Sequence, residues 1–184
     1  MTLLPAARGP QEAPYRVAVV CLGNICRSPI AEVVLTDRLE RAGLAGRVHV
    51  RSAGTGGWHV GDPMDRRAAR TLAEAGYDPT RHRAQQLDAS WYDDHDVLLV
   101  MDDDNLRDVR ALAPHPEDSD RVLMFRDFDP AVADSSSDRD VPDPYFGGDD
   151  GFTRVLAMVE RTADRLTAEL ADRVADSPLA RRAD

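Results

Sequence analysis

The apolar run Val17-Ala18-Val19-Val20 leads straight into Cys21-Leu22-Gly23-Asn24-Ile25-Cys26-Arg27-Ser28, and Pro29-Ile30-Ala31-Glu32 follows. This reads as a buried strand, a tight loop and the start of a helix, which commits the chain to an α/β fold with an anion-binding turn after its first strand. The backbone N–H groups of such a loop converge on one point, and the helix beyond adds the positive end of its dipole. Gly23 lets the backbone approach a ligand closely, and Asn24 is the non-glycine residue best suited to a left-handed turn position. Ser28 is expected to cap the helix and to donate a hydrogen bond to the Cys21 sulfur.

A thiol beside a cation and a helix N-terminus is expected as the thiolate, a nucleophile that needs no separate base. Arg27 lies far enough along to curl back, and its planar fork holds two phosphate oxygens in parallel, which an ammonium does not do. A lone cysteine before a turn is more often a small buried hydrophobe. The complete octapeptide behind an apolar strand points instead to cysteine chemistry on a phosphate.

The remaining chain alternates strands and helices. Tyr15–Cys21, Arg47–Ala53, Val97–Met101 and Arg121–Phe125 are expected strands, the first and third nearly all apolar, as strands buried on both faces should be. Helices are expected at about Pro29–Ala42, Met64–Ala75, Asp103–Leu112 and Asp150–Arg173, the last with one apolar face. Asp102-Asp103-Asp104 reads as a helix start with negative charge at its favourable end. The expected fold is a single α/β domain over residues 15–174: a four-stranded parallel sheet with helices on both faces and the anion loop at the carboxyl end of the first strand. Residues 1–14 and 175–184 read as flexible tails, and 134–138 as a mobile turn.

The octapeptide followed by Pro-x-Ala-Glu resembles the N-terminal signature of the low-molecular-weight protein tyrosine phosphatases of bacterial type, over about residues 15–172. That resemblance implies phosphotyrosine hydrolysis through a cysteinyl phosphate, with Cys21 as nucleophile and Arg27 as phosphate clamp. It also implies a leaving-group acid in a late Asp-Pro-Tyr segment. Of the Asp-Pro pairs at Asp62, Asp78, Asp129 and Asp143, only the last is followed by aromatics, Tyr145-Phe146, expected to wall the acid with low-dielectric surface. The family's matching positions make Asn24, Ser28, Ser52 and His82 a network supporting the loop of Leu22, Gly23, Asn24, Ile25 and Cys26. Gln85 departs from the arginine many members carry. Trp58 and Tyr145, with Ile25 and Phe146, are implied as the pocket wall around a flat ring. Isoleucine at 25, rather than threonine, favours phenyl over guanidinium phosphate. Cys26 is either a packing residue or a partner that traps oxidised Cys21 as a disulfide.

All 23 basic residues are arginine, so the lysine of a Walker loop, a Schiff base and a lysine nucleophile are excluded. A net charge of −10 disfavours nucleic acid and anionic membrane. The five histidines show no paired metal spacing, and no cofactor or metal is expected. The two cysteines, both in the loop, suit a reducing compartment, and Pro5 interrupts Leu3-Leu4, so no secretory signal or membrane span is expected and the location is read as cytoplasmic. Implied partners are tyrosine-phosphorylated proteins and a tyrosine kinase acting on them, for a monomer or weak dimer. An arsenate reductase would need cysteines beyond Cys26, and a non-catalytic phosphopeptide module would lack the thiol or the acid.

Overall fold

A computed structural model describes residues 3–10, 13–132 and 138–175. Four parallel strands, β1 (Tyr15–Cys21), β2 (Val48–Gly54), β3 (Val97–Val100) and β4 (Val122–Met124), form one sheet in the order β2-β1-β3-β4. β1 and β3 are thus the central pair, which is why they are apolar throughout: alternate side chains enter two different cores. Val17, Val19 and Cys21 face one cluster, with Val97 and Leu99, and Ala18 and Val20 face the other, with Leu98 and Val100.

Helices α1 (Arg27–Arg41) and α5 (Asp149–Ala175) cover the first face, together with Ala68 and Leu72 of α2 (Arg66–Glu74). The apolar stripe Phe152, Val155, Leu156, Val159, Leu166 and Leu170 of α5 is buried there. The second face is covered by α3 (Trp91–Asp94) and α4 (Asp103–Ala111), through Trp91, Tyr92 and Val109. The chain leaves β1 on one side of the sheet and β3 on the other, so the carboxyl ends of these two strands open a crevice. Cys21 and Met101-Asp102 therefore meet at one edge although they are distant in sequence.

Three local expectations are corrected. The N-terminal stretch is no free tail over its described residues. Leu4 is buried, Arg173 donates to its carbonyl, the Tyr15 hydroxyl donates to Pro5 O, and Arg8 reaches Asp96, Asp118 and Tyr92 O. Helix α1 begins at Arg27, two residues ahead of its expected start, because proline lacks only an N–H that the first turn does not use. Consequently Cys26 occupies the N-cap and Ser28 lies inside the first turn, so Ser28 does not cap the helix. The expected turn at 134–138 lies, except for Asp138, outside the described residues, as do residues 176–184.

Candidate active site

The loop between β1 and α1 is held from behind by its carbonyl groups. Cys21 O accepts from Thr55 N (2.9 Å), Leu22 O from Gly56 N (2.9 Å), Ile25 O from Asp65 N (2.8 Å) and Cys26 O from Ile30 N (3.2 Å). Asn24 O accepts from His82 Nε2–H at 2.7 Å, which fixes the proton on that nitrogen because a carbonyl only accepts. In a planar trans peptide the N–H points opposite to the preceding C=O. Five carbonyls turned outward therefore turn the amides of Leu22, Gly23, Ile25, Cys26 and Arg27 toward the hollow of the loop. Those of Arg27 and Ser28 also lie in the first helical turn, where N–H groups lack an intrahelical acceptor. Gly54 presses against this arrangement from β2: a Cβ there would lie 2.7 Å from Leu22 O and 3.0 Å from Asn24 N.

Asn24 is fully buried and, at φ 54°, is the single non-glycine residue with positive φ among the described residues. Both N–H groups and the oxygen of its amide are engaged. Nδ2 donates to Ser28 Oγ (2.8 Å) and Ser52 Oγ (2.9 Å), and Oδ1 accepts from Gln85 N (2.8 Å). Ser52 donates its own hydrogen bond to Glu32 Oε2 at 2.5 Å, and His82 Nδ1 lies 3.8 Å from that same oxygen. Ser28, already accepting from Asn24, has its proton between two acceptors, Cys21 Sγ at 3.0 Å and the more distant Ala53 O at 3.4 Å, and Asn24 N–H approaches the same sulfur at 3.3 Å. Two donors are thus aimed at one sulfur. Gln85, standing where an arginine was the alternative, contributes through its backbone, while its side-chain amide reaches Ser52 O at 3.4 Å.

Arg27 is almost wholly buried, with Nη1 2.5 Å from Asp102 Oδ2 and Nη2 3.1 Å from Asp143 Oδ2. Burial works against its charge, but Cys21, Asp143 and Asp102 outweigh that effect and hold the guanidinium above its ordinary range. Asp102 serves twice, since its other oxygen caps α4 by accepting from Asn105 N at 2.7 Å. Asp143 itself is 38 % exposed on its side chain, so the expected enclosure by aromatics is corrected: its close partners are Arg27 and the Tyr145 N–H at 3.1 Å. Cys26 is a free thiol in the core, and its pKa is pushed up by burial and then by Asp65, Cys21 and Asp143.

These groups line a cleft of about 170 Å³ with Cys21, 2 % exposed, at its floor and Trp58, His59, Tyr145 and Phe146 at its mouth. Trp58 is 74 % and Phe146 93 % exposed. Tyr145 and Phe146 meet edge to face at 5.0 Å, and Arg67 lies over the Tyr145 ring at 5.5 Å. Every residue expected at the site is brought to this cleft or to the network behind it. Sequence reasoning missed four others: Asp102 and Glu32 as the hidden partners of Arg27 and Ser52, Gly54 behind the loop, and His59 at the mouth. Among the described residues no group of three or more His, Cys, Asp or Glu could hold a metal ion, and no helix is long and apolar enough to cross a membrane.

Comparison with known proteins agrees with this geometry. The profile of the family described as low molecular weight phosphotyrosine protein phosphatase matches residues 16–176. A low molecular weight protein-tyrosine-phosphatase of Streptomyces coelicolor is 48 % identical over 160 residues, covering 87 % of this chain and 96 % of its own. YfkJ of Bacillus subtilis superimposes with a TM-score of 0.78 at 31 % identity, covering 90 % of this chain and 98 % of that one. Wzb of Vibrio vulnificus, solved in complex with benzylphosphonate, gives a TM-score of 0.70 at 26 % identity, covering 84 % and 98 %.

Proposed function

The chain belongs to the low molecular weight phosphotyrosine protein phosphatase family, and on that premise we propose that Cys21, Arg27 and Asp143 carry its reaction through a cysteinyl phosphate. The observation that carries this reading is the outward engagement of five loop carbonyls, which leaves a ring of amides around the sulfur of Cys21. Such a ring suits a phosphate dianion and the equatorial oxygens of its transition state.

In the first step the Cys21 thiolate attacks phosphorus in line. The phosphorus–oxygen bond to the tyrosine breaks, its electron pair goes to the phenolic oxygen, and Asp143 supplies the proton. In the second step Asp143, now a carboxylate, takes a proton from water as its oxygen attacks phosphorus. The sulfur–phosphorus bond breaks and the thiolate is received by the Ser28 hydroxyl and Asn24 N–H. Arg27 is paired with the Asp143 carboxylate in the free enzyme, so an arriving dianion competes for the guanidinium, and the freed carboxylate takes up a proton from solvent before giving it to the leaving oxygen. Oxidation of Cys21 to a sulfenic acid would let the Cys26 thiol attack it, expelling water and leaving a disulfide.

The substrate we propose is protein phosphotyrosine. The lining joins Cys21 to the aromatic side chains Trp58 and Tyr145 and to the apolar Ile25, a setting that suits a flat phenyl ring beside the phosphate better than the short, ringless side chain of phosphoserine. The Vibrio Wzb, solved in complex with benzylphosphonate, supports the reading, since that molecule joins an aromatic ring to a phosphorus group. The test is hydrolysis of a phosphotyrosine and a phosphoarginine peptide in EDTA by wild type, Cys21→Ser and Asp143→Ala. Preference for phosphotyrosine, abolished in the first variant and reduced about 10²-fold or more in the second, is expected. Preference for phosphoarginine, or full activity in either variant, would overturn the reading.

A further inference from the structure

Outside the cleft, the side chain of Asp129 is fully buried between the end of β4 and α5. It accepts from Arg161 Nε (2.6 Å) and Nη2 (2.8 Å), from Arg126 Nε (3.1 Å) and from Ala131 N (2.9 Å). Burial alone would raise its pKa, but Arg161, the Ala131 amide and Arg126 outweigh it and hold the carboxyl at about 2. Arg126 does not end there. Its Nη1 donates to the carbonyl of Asp140 at 2.8 Å.

Asp140 opens the short segment that carries the acid. Its side chain accepts from Asp103 N at 3.2 Å, Val141 N donates to Met101 O at 2.7 Å, Val141 O accepts from Arg27 Nη1 at 3.2 Å, and Asp143 meets Arg27 Nη2. The segment is thus pinned from β3, from α4 and from Arg27, and its start is pinned from α5 through Asp129 and Arg126. Arg27 must turn to the substrate when phosphate binds, so the pin at Arg126 is one that persists through turnover.

We infer that Arg126, locked by Asp129 and Arg161, is a positioning residue that sets where the Asp143 carboxyl stands relative to the leaving oxygen. This rests on Asp143 being the acid. Proton donation matters most for a poor leaving group, so a misplaced acid is read out by leaving-group dependence rather than by overall activity. A placement error near 1 Å carries a rate loss of up to about 10²-fold.

The experiment measures kcat/KM for phenyl phosphate and p-nitrophenyl phosphate in Arg126→Met, Arg126→Lys, Arg161→Met and, as the reference, Asp143→Ala. Thermal melting identifies which variants are folded at the assay temperature. Arg126→Met and Arg126→Lys are expected to lose on the order of tenfold more on phenyl phosphate than on p-nitrophenyl phosphate. Arg161→Met, on the solvent side and sparing the Asp140 contact, should lose less in the same direction and keeps the test open if both Arg126 variants unfold. Equal losses on both substrates in folded variants, with Asp143→Ala still discriminating, would overturn the positioning role alone. A flat response in Asp143→Ala as well would remove Asp143 as the acid, and the inference with it.

Discussion

Replacing Asn24 separates the two demands that the phosphate loop makes on one residue. Its side chain makes three hydrogen bonds, to Ser28 Oγ, Ser52 Oγ and Gln85 N, at 2.8, 2.9 and 2.8 Å. At about 1 kcal/mol net each, their loss destabilises the protein by about 3 kcal/mol. Its backbone sits at φ 54°, which alanine tolerates at a penalty of about 1 kcal/mol and glycine without one. Asn24→Ala should therefore lose about 4 kcal/mol and Asn24→Gly about 3 kcal/mol, read by urea unfolding with unchanged m-values. In both variants Ser28 loses the donor that orients its proton toward Cys21, and kcat/KM for a phosphotyrosine peptide should fall roughly 10- to 100-fold. If Asn24→Gly keeps activity within about twofold of wild type, the side-chain network is not what holds the loop. If the alanine variant is as stable as the glycine variant, the left-handed backbone is not under the constraint described.

Asp102→Asn keeps a capping side chain for α4 but removes a carboxylate that offsets the burial of Arg27, so the melting temperature should fall and kcat/KM should drop on the order of tenfold; steady-state kinetics beside a melting curve checks both halves. Asp129 has a folded pKa of about 2 against an ordinary value of 3.8, so its contribution of about 2 kcal/mol is complete above pH 4 and is lost as pH falls toward 2. Acid unfolding of Asp129→Asn should therefore show a shallower fall over that window than wild type. Deleting residues 1–9 removes the buried Leu4 and the Arg8 contacts, and should lower stability by about 2–3 kcal/mol in urea unfolding with kcat/KM unchanged, since these contacts lie at the opposite end of the sheet from Cys21.

The central strands were legible because burial on both faces leaves no room for polar residues in Val17–Val20 or Val97–Val100, and the two cores then divide those residues by parity. The edge strands carried a weaker pattern, with His49 exposed on β2, and their ends moved by one residue. Helix α3 went unseen because four residues carry no period, although Trp91 and Tyr92 are buried. Leu3–Pro10 read as a tail because two prolines and a glycine in eight residues resemble a linker. What docks it is long-range: Leu4 meets Arg173 on α5, and Arg8 meets Tyr92, Asp96 and Asp118, partners that no local pattern announces.

At the site the same division holds. Cys21, Asn24, Arg27 and Ser28 share one octapeptide, where spacing alone places them, and Asp143 stood out because aromatics follow its proline. Asp102, Glu32 and Gly54 became part of the site only through strand order. Asp102 follows β3, which lies beside β1, so one oxygen caps a helix, as its sequence context suggested, and the other holds the clamp. The pairing of Arg27 with Asp143 was equally hidden, since each residue had been read for what it does to substrate. In the free enzyme each occupies the other. A dianion entering the loop has to take the guanidinium from Asp143, and the carboxylate it frees, once protonated from solvent, is the acid its own leaving oxygen needs. Substrate binding and the release of Asp143 from its clamp are thereby one event.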